Sequence, residues 1–248
     1  MGLTGLIIAA SSVAMWAVAL WLNRRGVRHF DGSGDPSRGI VVFVEPVRWL
    51  FIVWGFNSLC RALRRAGRTD AVRLFRWSRA AGSLLVLPDL MRRHRLDAKA
   101  LRLARFLEQL CSEHPASTIH LVGYSTGVYI AFEAIKRVSL PVRMGQVVAL
   151  HGTMSPDYDM TEVTRRARGV LTVHGRPDWL INGLGPLLFG TNDRVHTAAC
   201  GMVGLRSTPA KVEQRGWQIS DARAGYLGDH FTVMSCGWLR ANIVPRLT

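Results

Sequence analysis

Lysine and acidic residues are scarce in this sequence. Lysine occurs only at Lys99, Lys136 and Lys211, so arginine supplies nearly all of the 32 basic side chains, against 17 aspartate and glutamate residues. The formal net charge of +15 indicates nucleic acid, an anionic membrane or an acidic substrate as partner, or simply an arginine-rich genome. The sequence contains no basic stretch interleaved with aromatic residues and no zinc-finger spacing, so we expect no nucleic-acid partner.

Cysteine is also scarce, and its four positions are far apart. Cys60, Cys111, Cys200 and Cys236 include no C-x-x-C pair, which excludes a disulfide framework and a cysteine metal site. Cys60 and Cys111 fall among apolar neighbours on helical patterns, so we expect them to be buried, reduced thiols. We expect neither a metal nor an organic cofactor.

Charged residues are absent from residues 3–22. At about 1.5 Å per helical residue, this apolar run is long enough to cross a hydrocarbon core of about 30 Å. A cleaved signal peptide carries its basic residues before the apolar run, whereas Arg24, Arg25 and Arg28 follow it here. We therefore predict an uncleaved transmembrane helix over residues 1–22, with the rest of the chain in the cytoplasm.

The remainder of the chain divides into a linker and one domain. Residues 23–38 end in the turn-forming run "DGSGDPSRG" and are predicted to be a polar linker. Residues 39–248 alternate between β-branched runs and helical patterns, which predicts an α/β domain: a mostly parallel sheet with helices on both faces. The predicted strands cover residues 40–45, 71–77, 118–124, 145–152, 169–175 and 216–220, and the main helices cover residues 55–67, 96–115, 127–137 and 231–244.

Two of these helices allow finer predictions. The helix over residues 55–67 is expected to begin at a side-chain cap on Asn57 or Ser58. The helix over residues 96–115 is expected to turn one apolar face towards the core, and that face comprises Leu101, Ala104, Leu107, Leu110 and Cys111.

One motif carries chemical information. The stretch "IHLVGYSTGVYIAFEAIKR" places Ser125 between Gly123 and Gly127, where a predicted strand meets a predicted helix. A serine at such a corner is strained, and glycines two residues away avoid a collision. The corner would raise Ser125 above the carboxyl ends of the strands and place the Thr126 N–H at a helix N-terminus, where it suits an oxyanion. Ser125 is therefore the candidate nucleophile, and a purely structural turn is the alternative.

A serine nucleophile needs a histidine base and an acid that orients the base. On α/β sheets of this type the acid and then the histidine follow the serine along the chain. Asp178 follows a predicted strand in "VHGRPD", and His230 lies near the C-terminus in "GDHF". The alternatives are Asp157, Asp159 and Asp193 for the acid, and His151, His174 and His196 for the base.

Together, "GYSTG", "VHGRPD" and "GDHF" resemble the motifs of the α/β-hydrolase-fold serine hydrolases of the esterase and lipase type, over residues 39–248. The resemblance implies that Ser125 is the nucleophile, His230 the base and Asp178 the acid. It also implies that the backbone N–H groups of Thr126 and Val47 form an oxyanion hole, and that no cofactor is needed. The fold it implies is a compact α/β-hydrolase domain without a cap, here after one transmembrane helix.

The sequence departs from the family at the first strand. The family commonly has His-Gly after this strand, whereas this chain has Glu45-Pro46, and Pro46 has no N–H to donate. We therefore expect the Val47 N–H to be the second oxyanion donor. We expect a membrane-anchored hydrolase of carboxylic esters, and the apolar residues 49–56 and 184–189 indicate a lipid-like or acyl substrate. The departure at Glu45-Pro46 supports the alternative, an inactive α/β-hydrolase-like interaction protein.

Overall fold

The structure is a computed structural model that describes residues 3–47, 55–78, 93–139 and 141–248. Its described strands form a single sheet in which every neighbouring pair is parallel, with the order β2-β1-β3-β4-β5-β6. The predicted α/β class is confirmed. The strands are β1 (Asp35–Val44), β2 (Asp70–Phe75), β3 (Ile119–Tyr124), β4 (Met144–Leu150), β5 (Gly169–His174) and β6 (Val212–Gly216).

Helices lie before, between and after these strands. They are α1 (Leu3–Phe30), α2 (Phe56–Arg65), α3 (Arg93–Glu113), α4 (Thr126–Arg137), α5 (Thr161–Arg166), α6 (Gly185–Phe189), α7 (Cys200–Val203) and α8 (Cys236–Asn242). A π-helical turn covers Trp179–Leu184, and 3₁₀ turns cover Ile219–Ala224, Thr232–Met234 and Val244–Arg246.

Alternate side chains of β1 enter two separate cores. Ile40 and Val42 pack with residues of α3 and α4 on one face of the sheet. Val41 and Phe43 pack with α2, α8 and the end of α1 on the other face. A strand that is buried on both faces reads as a continuous apolar run, as the sequence does here. The sheet is therefore a rigid support for the loops at its carboxyl edge.

The start of α2 differs from the prediction. The helix follows Gly55, whose φ is 93°, and has no side-chain cap. Asn57 instead donates from Nδ2 to the carbonyl oxygen of Asn23, at 3.2 Å, where α1 crosses α2. The side chain expected to cap the helix is thus used in a contact between helices.

Several predicted boundaries and faces also change. Leu101 is 41% exposed, because α3 turns the row that contains Ala100, Leu103 and Leu107 towards the core. The last strand pairs residues 212–216 with β5, four residues earlier than predicted. The closing helix is broken into a 3₁₀ turn and α8, because Ser235 between them is extended, with ψ 132°.

The region predicted to be a linker is mostly regular structure. Helix α1 continues to Phe30 and β1 begins at Asp35, so most of residues 23–38 belong to regular structure. Val27 and Phe30 are buried in the core that includes α2. Among the described residues, no helix is both long enough and apolar enough to cross a membrane, so the structure gives no support to the anchor predicted over residues 1–22.

Candidate active site

Ser125 occupies a sharp corner between β3 and α4. Its backbone has φ 57° and ψ −128°, a conformation that L-residues rarely adopt. The corner is held by two backbone hydrogen bonds: the Ser125 N–H donates to the Leu150 carbonyl at 2.9 Å, and the Val128 N–H donates to the Ser125 carbonyl at 3.0 Å. The strain is thus built into the junction of two buried elements.

The two glycines of the motif allow this close approach. A Cβ on Gly123 would lie 2.8 Å from the Cα of Val128. A Cβ on Gly127 would collide with the carbonyl groups that end β1, lying 2.6 Å from the Glu45 oxygen. The corner therefore packs both on its own helix and on the neighbouring strand.

His230 connects Ser125 with Asp178. Its Nε2 lies 3.0 Å from Ser125 Oγ, and its Nδ1 lies 2.8 Å from Asp178 Oδ2. All three residues are buried, at 7%, 7% and 2% exposure for Ser125, His230 and Asp178. The structure thus brings together the three residues that the sequence singles out, in a row of hydrogen bonds.

The loop that carries His230 is fixed by its neighbours. The Tyr124 hydroxyl, at the end of β3, donates to the His230 carbonyl at 2.5 Å. The Asp229 carboxylate accepts from the backbone N–H groups of Phe231 and Thr232, at 2.8 and 3.0 Å. The imidazole is therefore positioned from both its backbone and its ring.

Asp178 accepts three hydrogen bonds on one oxygen. Besides His230, the Nδ1 of His151 and the Nδ2 of Asn182 each lie 2.6 Å from Oδ2. Burial raises the pKa of the Asp178 carboxyl, but the hydrogen bonds from His151 and His230 outweigh it and hold the pKa below its ordinary value. The group is therefore a carboxylate at neutral pH.

The sequence indicates His151 only as a possible base for Ser125. In the structure His151 instead lies behind Asp178. Its ring is fully buried and lies between Asp178 and Tyr226, whose hydroxyl is 2.7 Å from Nε2. Neither ring nitrogen faces Ser125. One signal in the sequence points to this site: His151 directly follows β4, and the carboxyl ends of parallel strands share one edge of the sheet.

The remaining candidate acids and bases have contacts of their own. Asp157 pairs with Arg206, and Asp159 accepts from the Thr161 N–H at 2.9 Å. Asp193 holds Ser155, and His196 Nδ1 lies 3.1 Å from the Leu187 carbonyl. The His174 ring lies at the end of β5, and its buried Nδ1 has no hydrogen-bond partner among the described residues. None of these groups competes with His230 or Asp178 for Ser125 in the part of the chain that the structure describes.

One predicted oxyanion donor, Thr126, belongs to the corner itself, and the other, Val47, follows β1. Thr126 is buried and is the first residue of α4, where a backbone N–H has no acceptor within its own helix. Val47 lies three residues beyond β1 and packs on the core. Of the predicted acyl-lining stretch 49–56, residues 49–54 lie outside the described residues, and Phe56 is buried in the core with α2.

The departure at Glu45 has a structural role. Its carboxylate is fully buried, and Oε1 accepts from the backbone N–H groups of Trp77 and Ser78, at 3.1 and 3.3 Å. The Trp77 indole N–H donates to the Glu45 carbonyl at 2.5 Å. Glu45 thus ties the end of β1 to the loop that follows β2, beside the corner that carries Ser125.

Within the described ranges, one group of side chains has the composition of a metal site. The ligand atoms of His151, Asp178 and His230 lie within 4.8 Å of one another. Ligands around tetrahedral zinc, at about 2.0–2.1 Å from the ion, are separated by roughly 3.3 Å. The distances of 2.6 and 2.8 Å between the imidazole nitrogens and Asp178 Oδ2 are shorter. These contacts fit shared protons better than a shared ion.

Comparison with known proteins agrees with this architecture. No protein-family model and no curated protein matches the chain. Among solved structures, the mature form of a Bacillus licheniformis lipase is similar, with a TM-score of 0.50 and 14% identity over 88% of this chain and 95% of that one. The propeptide form of this lipase gives a TM-score of 0.51 and 14% identity over 88% and 52% of the two chains.

A Trichoderma reesei cutinase in complex with a phosphonate inhibitor is also matched, with a TM-score of 0.42 and 14% identity over 97% of this chain and 92% of that one. At 14% identity a similarity bears on the fold and not on the reaction, and the two lipase structures, with TM-scores of 0.50 and 0.51, are the ones that support the fold. The parallel sheet, the strand–corner–helix unit around Ser125 and the similarity to the lipase structures show that the chain has the α/β-hydrolase fold.

Proposed function

We propose that the protein is a serine hydrolase that cleaves carboxylic esters through an acyl-enzyme. The observation that supports this most is the row of hydrogen bonds from Ser125 Oγ through His230 to Asp178, at 3.0 and 2.8 Å. A nucleophile within reach of a base, and a base oriented by a third group, is the arrangement that covalent acyl transfer needs.

In the first half of the proposed reaction, Ser125 Oγ attacks the carbonyl carbon of the ester. His230 Nε2 accepts the hydroxyl proton as the new bond forms. The Asp178 carboxylate keeps the other proton on Nδ1 and stabilises the imidazolium that results. Because Asp178 is buried and already ionised, little reorganisation is needed as the charge develops.

The negative charge that forms on the substrate oxygen needs donors. We assign this role to the backbone N–H of Thr126, at the positive end of α4, and to that of Val47. His230 then gives its proton to the leaving alcohol. A water molecule then attacks the acyl carbon of the acyl-enzyme while His230 accepts its proton. The bond from this carbon to Ser125 Oγ breaks, His230 returns the proton to Oγ, and the carboxylic acid leaves.

A fluorophosphonate probe tests this function directly. We expect the probe to form a covalent adduct on Ser125, located by peptide mass spectrometry, and we expect the protein to hydrolyse p-nitrophenyl esters. If the folded protein takes no probe and hydrolyses no ester, thioester or amide, the serine hydrolase proposal is wrong. The interaction protein without activity would then be the better explanation.

The exposed apolar side chains after Asp178 support an acyl or lipid-like substrate. The segment from residue 179 to 189 contacts Asp178 through Asn182, at 2.6 Å. A stretch of exposed apolar side chains next to a site is typical of a surface that binds an apolar ligand. Those at least 44% exposed are Trp179, Leu180, Leu184, Leu187, Leu188 and Phe189.

Adding charge to this segment is expected to separate long from short substrates. Leu180→Glu and Leu188→Glu should lower kcat/KM for a p-nitrophenyl ester with a long acyl chain about tenfold, since each lost apolar contact is worth about 1–2 kcal/mol. Hydrolysis of p-nitrophenyl acetate should stay within about twofold. Leu101→Glu, an exposed leucine on α3, is the matched control. Equal losses for the acetate and the long-chain ester would contradict an acyl-binding role.

We also propose that residues 3–22 hold the protein at a membrane, with residues 39–248 in the cytoplasm. The proposal rests on the uncharged run in the sequence and on exposed apolar side chains in α1, which include Val13, Met15 and Trp21. We expect the full chain to stay with membranes after alkaline carbonate extraction and to resist protease added to intact cells. A chain without residues 1–22 should be released. Recovery of the full chain in the soluble fraction would contradict the anchor.

A further inference from the structure

His151 makes contacts that the proposed mechanism does not use. Its backbone has φ 49°, in the left-handed region that few non-glycine residues occupy. The backbone is held there by a hydrogen bond from the His151 N–H to the Val173 carbonyl at 3.0 Å, and by one from Asn182 Nδ2 to the His151 carbonyl at 3.2 Å. The residue whose ring contacts Asp178 is thus held in an unfavourable backbone conformation.

The positions of the protons on His151 follow from its partners. The Asp178 carboxylate can only accept, so His151 Nδ1 carries a proton and donates. Burial lowers the pKa of His151, against the hydrogen bond and charge of Asp178, and burial raises the pKa of Tyr226. The ring is therefore neutral, and Nε2 accepts from the protonated Tyr226 hydroxyl. Among Tyr226, His151, Asp178 and His230, only Asp178 is then charged.

All three donors to Asp178 meet at the same atom. His230, His151 and Asn182 converge on Oδ2, and Oδ1 is buried without a hydrogen-bond partner among the described residues. Loss of one hydrogen bond at Oδ2 therefore leaves more negative charge on this oxygen, and it strengthens the attraction of the oxygen for the remaining donors. The ring planes of His151 and His230 stand at 86° to each other, with 5.8 Å between ring centroids.

We propose that His151 is a positioning residue of the active site: with Tyr226 behind it, it fixes Asp178 Oδ2 and shares the negative charge that Asp178 presents to His230. This inference rests on the proposed hydrolase function. A carboxylate that accepts several hydrogen bonds is a weaker base than one that accepts few. With His151 in place, Asp178 attracts the proton of imidazolium less strongly. Removal of His151 should therefore strengthen the attraction between Asp178 and the imidazolium, and the acid limb of the activity profile should move to higher pH.

Several neighbouring groups around this network also carry or can carry charge, and they are the same in wild type and in every variant of His151. Asp229 lies on the loop of His230, Tyr124 on β3, and His174 at the end of β5. The Arg215–Asp221 ion pair lies near Tyr226.

The test compares pH profiles of kcat/KM, normalised to the active enzyme counted by fluorophosphonate labelling. In His151→Leu we expect the midpoint of the acid limb to move to higher pH by at least about 0.5 unit. We expect kcat at the optimum to fall roughly ten- to a hundredfold, because Asp178 is less well placed, with a smaller change in KM. An unchanged midpoint together with an unchanged kcat would overturn the proposal.

Two milder variants keep the test valid if His151→Leu folds poorly. His151→Asn retains an amide donor near the place of Nδ1 and should recover part of kcat and part of the midpoint. Tyr226→Phe keeps the ring that packs on Trp238, with 4.6 Å between ring centroids, and removes only the donor to Nε2. It should move the midpoint in the same direction by less. A shift in the opposite direction in these variants would contradict the proposal.

His120→Leu is the matched control. His120 is also a buried neutral histidine, with a pKa lowered to about 4 mainly by burial, and its Nδ1 accepts from the Gln146 N–H at 3.1 Å. It lies near the start of β3, at the opposite end of the sheet from the site. Its loss should cost stability without moving the acid limb. An equal shift in His120→Leu would show that the effect comes from a weakened fold.

Proton NMR separates this proposal from the proposed function, because it needs no turnover. Wild type should show two downfield imidazole N–H resonances, from the Nδ1–H groups of His151 and His230. His151→Leu should keep only the second, at a changed chemical shift. If the wild type shows both resonances but has no hydrolase activity, the hydrogen-bond network is present and the proposed function is wrong. A proton on Nε2 of His151, detected by its ¹⁵N shift, would overturn the positioning role.

Discussion

Replacing Ser125 with alanine is expected to abolish ester hydrolysis and fluorophosphonate labelling while the fold remains. Loss of a serine nucleophile in a complete triad lowers kcat by on the order of 10⁶-fold. Alanine keeps the Cβ of serine, so the backbone strain at φ 57° is unchanged. The variant loses one hydrogen bond to His230, at 3.0 Å, worth about 1 kcal/mol. The Tm should therefore move by no more than about 4 °C.

Ser125→Gly is the matched variant for the fold. It removes the same hydroxyl and also the Cβ that makes a positive φ unfavourable. Relief of strain, about 1–3 kcal/mol, exceeds the entropy that glycine adds to the unfolded chain, about 0.5–1 kcal/mol. Ser125→Gly should thus melt above Ser125→Ala, and both should be inactive. Ester turnover at the wild-type rate in either variant would show that Ser125 is not the nucleophile.

The sequence allows the triad geometry to be predicted because three simple constraints act together. A glycine on each side of Ser125 indicates the corner, the carboxyl edge of a parallel sheet collects residues that follow strands, and chain order selects among the acids and histidines. Asp178, four residues beyond β5, satisfies the last two constraints, and His230, in a late loop, satisfies the chain order. Asp157 and Asp159 satisfy the edge rule too, and only the path of the loop after β4 places them elsewhere.

The other contacts of the site depend on how separate loops come together, and the local sequence pattern does not predict this. His151 comes directly after β4, yet its place between Asp178 and Tyr226 requires two further loops to meet it. The prediction that Leu101 is buried was wrong for a similar reason. The sequence period shows that α3 is a helix, but packing against the sheet determines which face of the helix is buried. The predicted linker ends in turn-forming residues. Its first half is nevertheless helical, because Val27 and Phe30 pack against α2.

Gly127→Val is expected to prevent stable folding, and Gly127→Ala should come close to doing so. A Cβ at this position would lie 2.6 Å from the Glu45 carbonyl oxygen and 3.0 Å from the Val44 carbonyl carbon. These are backbone atoms at the end of a buried strand, so they cannot rotate away as a side chain would. Glu45 is further held through Trp77 and Ser78. We expect the free energy of unfolding to fall by more than about 4 kcal/mol, measured by urea and thermal unfolding.

Two further glycines separate the effect of space from that of backbone conformation. Gly67 has φ 73°, and a methyl group added there would meet no atom within 4 Å, so Gly67→Ala should cost only about 1–2 kcal/mol. Gly185 has helical angles, φ −54° and ψ −57°, and its nearest neighbour would lie 3.6 Å away. Gly185→Ala should therefore be neutral or stabilising by up to about 1 kcal/mol. A Gly127→Ala variant that unfolds like Gly185→Ala would mean that β1 can yield, and that the glycine at the corner is not required by the packing that holds Ser125 in place.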